Sequence, residues 1–160
     1  MVGDLTQVIM AIGKIISPFT DGINHINAYS KGRTDLGRML SNFYHSPFMH
    51  PELGQFASME GFWFYIRNGC RDDVLRTLFG YDAKCYGSEL PSVRTSNFES
   101  LIYEGLECKL EQNQEILEAC LDNNLPYYHY YVYDEFEPVR LDESLYIIAL
   151  RKTIQKLSVF

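Results

Sequence analysis

Apolar residues recur at helical spacing over most of the chain and take a strand-like pattern in only a few short places. Leu5, Val8, Ile9, Ile12 and Ile16 follow Asp4, a suitable N-cap, and Ser17-Pro18 ends the run because a residue before proline avoids the helical region. This predicts an N-terminal helical extension over residues 1–20. Ile23, Ile26 and Tyr29 lie in INHINAYS, between Asp21-Gly22 and Lys31-Gly32, and predict a strand. Residues 31–57 carry Gly, Ser, Asn and Pro at short intervals, which predicts loop with a helical turn near Leu36–Leu40 and a short strand near Phe43 or Phe56. Ser58 then caps a helix running through about Asn68, where Gly69 stops it. Glu60, Phe64 and Arg67 share one face of that helix, and Met59, Phe62, Trp63 and Ile66 make its broader apolar face.

Further along, Asp72 or Asp73 opens a helix through Leu78 that Phe79-Gly80 closes, and a short helix covers Asp82 to Tyr86 before Gly87. Ser96 and Glu99 form a capping-box pattern ahead of the clearest apolar stripe in the chain, Phe98, Leu101, Ile102, Gly105, Leu106 and Leu110. Asn113 starts another helix with Ile116, Leu117, Cys120 and Leu121 inward, ended by Asn123-Asn124 and Pro126. YYHYYVY at 127–133 has strand composition, and Leu141 to Leu157 closes the chain as a helix. No repeat or linker interrupts the pattern. The expectation is one domain over residues 1–160 of the α+β class, predominantly helical, with several helices around a small β-sheet.

Composition and charge narrow the partners. A chain of 160 residues buries roughly 70% of its unfolded surface and needs no disulfide or metal to hold it together. The net charge of −7 argues against stable binding to duplex nucleic acid and against an anionic membrane surface, both of which need a broad basic face. The charge is uneven, however: Glu99, Glu104, Glu107, Glu111, Glu115 and Glu118 stand against Lys109 alone, whereas residues 31–38 carry three cations against Asp35. A local cationic mouth on an acidic body suits a small anionic ligand. The four cysteines show neither C-x-x-C spacing nor a dense framework, and the apolar N-terminal run has no basic flank and is too short for a bilayer. A cytoplasmic protein with reduced thiols is expected.

Three groups of residues carry candidate chemistry. Glu60 stands among Met59, Phe62, Trp63, Phe64 and Tyr65, and a carboxyl desolvated by aromatics favours its neutral form and can donate a proton near neutral pH. The alternative is a surface glutamate complementing the helix dipole. Lys31, Arg33 and Arg38, with Ser41 and Asn42, have the charge and hydrogen-bonding groups to hold phosphate, although no Walker or dinucleotide motif is present; a solvated basic loop is the alternative. His129 lies within the tyrosine-rich segment without a second ligand at metal spacing, which makes it a pocket wall or core residue. The pattern requires neither metal nor cofactor.

LSNFYHSPF at 40–48 followed by FASMEGFWFYI at 56–66 resembles the signature of the NADAR (YbiA-like) N-glycosidase family, in order and separation. DDVLRTLFGYDAKCYG at 72–87 is similar to the family's next helix, and LPYYHYYVY at 125–133 to a later segment of one branch; the EGFWFY form resembles a divergent branch found also in bacteriophages. The resemblance implies a mostly helical YbiA-like fold and hydrolysis of the N-glycosidic bond of an ADP-ribosyl or phosphorylated ribosyl compound, for example ADP-ribose on a nucleobase. It places Glu60 as catalytic acid/base and Arg67 where a catalytic lysine is common. Lys31, Arg33, Arg38, Ser41, Asn42, Phe43, Trp63, Lys84, His129, Tyr130 and Tyr131 are the implied ligand-binding residues. Gly61 stands where many members have His, and Phe64 where many have Gln. The alternatives are an inactive module that binds ADP-ribose or a similar nucleotide, and a phage-encoded interaction protein acting in the host cytoplasm.

Overall fold

The longest apolar stripe in the sequence becomes the axis of the domain. The computed structural model describes residues 14–141 and 143–159. In it six α-helices and six short strands follow one another: β1 (Ile15–Ile16), β2 (Ile26–Asn27), α1 (Asp35–Leu40), β3 (Phe48–His50), β4 (Gly54–Phe56), α2 (Met59–Arg67), α3 (Gly80–Ser88), α4 (Phe98–Gln112), α5 (Gln114–Asp122), β5 (Tyr127–Tyr128), β6 (Val139–Arg140) and α6 (Leu145–Leu157). Leu101, Ile102, Leu106 and Leu110 of α4 are buried against α2, α6 and the β3 strand. Gly105 lets α2 approach, since a Cβ there would stand 2.5 Å from the Phe62 ring. Phe48, Phe56, Phe62 and Tyr65 interlock edge-to-face beside this contact, so the main core is aromatic as well as aliphatic.

The architecture is α+β and mostly helical, and its strands form three separate two-stranded ladders. β3 and β4 make an antiparallel hairpin in the register Phe48↔Phe56, β1 pairs antiparallel with β6, and β2 pairs in parallel with β5 through Ile26↔Tyr127. The β2–β5 ladder joins segments a hundred residues apart and sets the tyrosine-rich segment beside the residues that lead into α1. It stops after two residues because Asn27 takes over the pairing. The buried Asn27 amide donates to the Tyr130 carbonyl at 3.1 Å and accepts from the Tyr130 N–H at 3.1 Å. The strand predicted over 127–133 is therefore only Tyr127–Tyr128, followed by extended chain pinned by a side chain.

Helix α2 has the predicted ends. Ser58 Oγ accepts from the Gly61 N–H at 3.1 Å and donates to the Leu78 carbonyl at 2.9 Å, and Gly69 adopts φ +79° just past the end. Gly61 is required by close approach: a Cβ would lie 2.3 Å from the Leu75 carbonyl oxygen. Phe64 fills the space that Gly87 of α3 leaves open, with a hypothetical Gly87 Cβ only 2.2 Å from its ring. These two glycines let α2 seat between the 72–78 turn and α3.

Other local expectations are corrected. Residues 1–13, which hold most of the predicted N-terminal helix, lie outside the described residues, and Ile15–Ile16 form a strand followed by a 3-10 turn at Pro18–Thr20. Asp72 caps only a 3-10 turn, Asp73–Arg76, and Gly80 opens α3 rather than closing a helix, its N–H bonded to the Phe43 carbonyl at 2.9 Å. The Ser96–Glu99 capping box does not form, because α4 starts one residue later with Asn97 at the N-cap. Phe43 lies outside any strand, and Leu121 is 49% exposed rather than inward.

Candidate functional site

Glu60 sits in the first turn of α2, where the helix dipole favours its charged form, yet burial outweighs the dipole and raises its pKa to about 7. Lys84 of α3 opposes the rise by attraction. Among the described residues the Glu60 carboxylate accepts no hydrogen bond and joins no ion pair, and its oxygens are not among the buried polar atoms lacking partners. The carboxyl is thus desolvated, unpaired and still reachable. At neutral pH it is divided between acid and base, the condition a group needs to give and take a proton in one cycle.

Around it stand residues brought from three distant segments. Burial, then Tyr133 and Tyr131, pushes the Tyr29 phenol up, while Lys84 pulls it down, so Lys84 lies within electrostatic reach of both Glu60 and Tyr29. Tyr146 of α6 is buried, donates its hydroxyl to the Leu40 carbonyl, and is pushed upward chiefly by burial, with Cys120 and Glu60 contributing. His129 links the aromatics: its ring meets Tyr146 at 5.2 Å, Tyr131 at 5.4 Å and Tyr29 at 6.4 Å, at interplanar angles of 87°, 68° and 65°. Nδ1 of His129 lies 2.7 Å from the Ala28 carbonyl, so it carries the proton and Nε2 keeps its lone pair. Burial lowers the His129 pKa, which keeps the ring neutral.

The 41–43 loop completes this side of the molecule. Its Asn42 carbonyl accepts the Glu60 N–H at 2.9 Å, and the Asn42 Oδ1 is buried without a partner. Ser41 Oγ accepts the Phe43 N–H at 3.1 Å, which shapes the loop, and the Phe43 carbonyl anchors α3 through Gly80. The Ser41 carbonyl accepts from Lys109 Nζ at 3.0 Å. Lys109 is fully buried on α4 and its pKa falls to about 7, with burial the main cause.

The arginines of the basic loop are engaged by local contacts. Arg33 donates its guanidinium to the Phe19 carbonyl at 3.2 Å and lies over the Phe19 ring at 4.8 Å, while its N–H is held by Asp21 at 2.8 Å. Arg38 donates to the Gly32 carbonyl at 2.7 Å and pairs with Asp35, and Lys31 is exposed. These contacts fold the loop on itself. Tyr130 belongs to a small separate cluster with Ile16 and Leu141, its hydroxyl bonded to His25 Nε2. Trp63 and Arg67 line a groove of about 390 Å³ with Ser92, Val93, Arg94, Thr95 and Phe98, whereas a second concavity of about 280 Å³ is lined by His50 and four glutamates. Glu60 lines neither.

Asn42 is bonded to the Glu60 amide, Lys84 and Tyr146 lie within electrostatic reach of Glu60, and His129 and Tyr131 join them only through ring contacts with Tyr146 and Tyr29, whereas Arg67 and Trp63 line a groove, Arg33 and Arg38 are engaged by local contacts, and Tyr130 sits in its own cluster. Tyr29, Tyr146 and Lys109 are the additions. Lys109 had a legible signal, since it falls on the α4 stripe between Leu106 and Leu110; the two tyrosines carried none, because only long-range packing brings them together. Among the described residues no group of His, Cys, Asp or Glu is arranged to hold a metal ion, and no helix is long and apolar enough to cross a membrane. No protein-family model, curated protein or solved structure matches this chain.

Proposed function

We propose that the chain is a cytoplasmic N-glycosidase with a YbiA-like fold, acting on an ADP-ribosyl or phosphorylated ribosyl compound such as ADP-ribose on a nucleobase. The observation that carries it is the setting of Glu60: a carboxyl whose pKa burial raises to about 7, without a side-chain partner among the described residues, and within electrostatic reach of Lys84 and Tyr146. In the reaction the bond from the sugar's anomeric carbon to the base nitrogen breaks, and the electron pair leaves with the base. The resulting oxocarbenium-like centre is stabilised by the Glu60 carboxylate, water adds to it, and Glu60 passes the water proton on to the departing nitrogen. Lys84 keeps enough of the carboxyl ionised to act as base. Tyr131 with Tyr29 offers ring surface to a base.

The resemblance of residues 40–48 and 56–66 to the NADAR signature supports this reading, and so does the seating of the loop carbonyl of Asn42 on the Glu60 amide. Gly61 cannot carry the family's common histidine here, because its Cβ position is taken by the Leu75 carbonyl. Proton transfer then rests on Glu60 alone. The test is release of free base from ADP-ribosylated guanosine. Glu60→Gln is expected to lower it by about 100-fold or more, and unchanged release would remove the catalytic assignment.

A second reading, a binding module without turnover, is favoured by one observation: the close approach of the Leu75 carbonyl to Gly61 leaves no room for the histidine that the resembled family commonly carries there. Saturable heat of ADP-ribose binding with no base released from the conjugate on long incubation would select it.

A further inference from the structure

The groove at the far end of α2 is a different surface from the Glu60 site and is built as a ligand site in its own right. Its walls are fixed: the Val93 N–H donates to the Arg67 carbonyl at 2.7 Å, and the Asn68 amide donates to the Pro91 carbonyl at 3.2 Å, fastening the 91–95 segment to the end of α2. Two guanidiniums, Arg67 and Arg94, border it. Both are exposed, and neither forms an ion pair among the described residues, in contrast to Arg38, Arg76 and Arg151. Between them Trp63 and Phe98 stand perpendicular with ring centroids 5.3 Å apart, so they form a corner and not a closed stack.

Two further features call for an acceptor-rich ligand. Thr95 lines this groove, and its Oγ1 lies buried just behind the wall with no hydrogen-bond partner among the described residues. Phe98 is also the first residue of the fifteen-residue α4, whose N-cap Asn97 makes no side-chain cap, leaving first-turn N–H groups beside the groove. Exposed Glu99 in that turn offsets part of the positive field, but two unpaired arginines outnumber it. A volume of about 390 Å³ falls within the range of small-ligand sites. Unpaired guanidiniums choose phosphate by planar two-point contact, and an aromatic corner chooses a flat base.

We propose that this groove binds a nucleoside phosphate, with its base on the Trp63–Phe98 corner and its phosphate between Arg67 and Arg94. The groove is distinct from the Glu60 site, since Glu60 is not among the residues that line it. The same chemistry is presented by a free mononucleotide and by one unit of a single strand.

Trp63 is the chain's one tryptophan, so intrinsic fluorescence reports this groove directly. The experiment titrates the full chain with AMP and, separately, with a short oligodeoxyadenylate, following quenching of Trp63 at two salt concentrations. Saturable quenching is expected. Arg67→Ala and Arg94→Ala, both at exposed positions, should each weaken it by roughly ten-fold with the melting temperature unchanged, and Glu60→Gln should leave it as it is. Tighter, more salt-sensitive binding of the oligonucleotide identifies a single strand as the occupant, and equal affinities identify the mononucleotide. Absence of quenching by either probe, or a midpoint that stays put when both arginines are removed, would overturn the proposal. Loss of quenching in Glu60→Gln alone would move the ligand to Glu60 and overturn it as well.

Discussion

Glu60 and Lys109 reach the same pKa, about 7, from opposite directions and in opposite surroundings. Both shifts are caused chiefly by burial. Lys109 is sealed, with its ammonium or amine donating to the Ser41 carbonyl, and it lies under the loop that Glu60 also touches. Glu60 has no side-chain partner among the described residues and is not sealed from solvent. The difference teaches that a shifted pKa does not by itself mark a reactive group. What separates them is hydrogen-bond accounting: Lys109 completes the backbone at the end of α1, whereas Glu60 completes nothing and is held away from full solvation by the packing around it.

Breaking the structural member of the pair should have the largest effect on folding. Lys109→Ala leaves the Ser41 carbonyl without its donor and opens a cavity beside Leu106 and Leu110, so a loss of about 3–5 kcal/mol is expected in denaturant unfolding. Lys109→Met keeps most of the volume and should cost less, about 1–2 kcal/mol. If Lys109→Ala unfolds no more easily than wild type, the structural role is wrong.

Glu60→Gln should act the other way. The folded pKa of Glu60 is raised, so the protonated form is the one folding favours; its contribution is full below the unfolded pKa near 4.5 and is lost as pH rises through about 7. Removing the charge should therefore stabilise the protein above pH 7 by on the order of 1–3 kcal/mol, and hardly at all below pH 4.5, read from unfolding midpoints across pH. Lys109 has the reverse sign: its lowered pKa makes stability rise as pH climbs from about 7 toward 10.5. Two pH arms of opposite slope, each abolished by its own substitution, would sharpen the comparison.

Lys84→Met removes the cation that holds Glu60 down, so the carboxyl should titrate higher still, and the pH optimum of any base release should shift upward with it. A smaller effect is expected at the basic loop. Arg38→Ala removes an exposed pair with Asp35 and one bond to the Gly32 carbonyl, which should cost about 1 kcal/mol or less and leave turnover nearly unchanged. A large fall in affinity with stability intact would instead restore Arg38 to the ligand site.

Local signals in the sequence carried well where chemistry and geometry lie within a few residues. Ser58 and Gly69 are enough to place a capped helix, and the aromatics around Glu60 raise a desolvated carboxyl beside the alternative of a surface glutamate; the structure has the cap and buries the carboxyl. Long-range pairing was not readable. Asp21 binds both the Asn27 and Arg33 backbone N–H groups, which folds the basic loop onto its own backbone. Asn27 cuts the tyrosine-rich strand short by substituting its side chain for the ladder. Trp63 shares a helix with Glu60, yet Phe98 and the 91–95 segment draw it into a separate groove. In each case the deciding partner lies far away in the chain or is a polar side chain whose target periodicity does not reveal.

The most direct measurement is the titration of Glu60 itself, by carbon NMR of carboxyl-labelled protein with Glu60→Gln supplying the assignment. The expected result is one carboxyl that titrates near pH 7, disappears in Glu60→Gln and moves upward in Lys84→Met. If every glutamate titrates below about pH 5, Glu60 is an ordinary first-turn carboxylate, and its place at the centre of a proton-transfer site is contradicted.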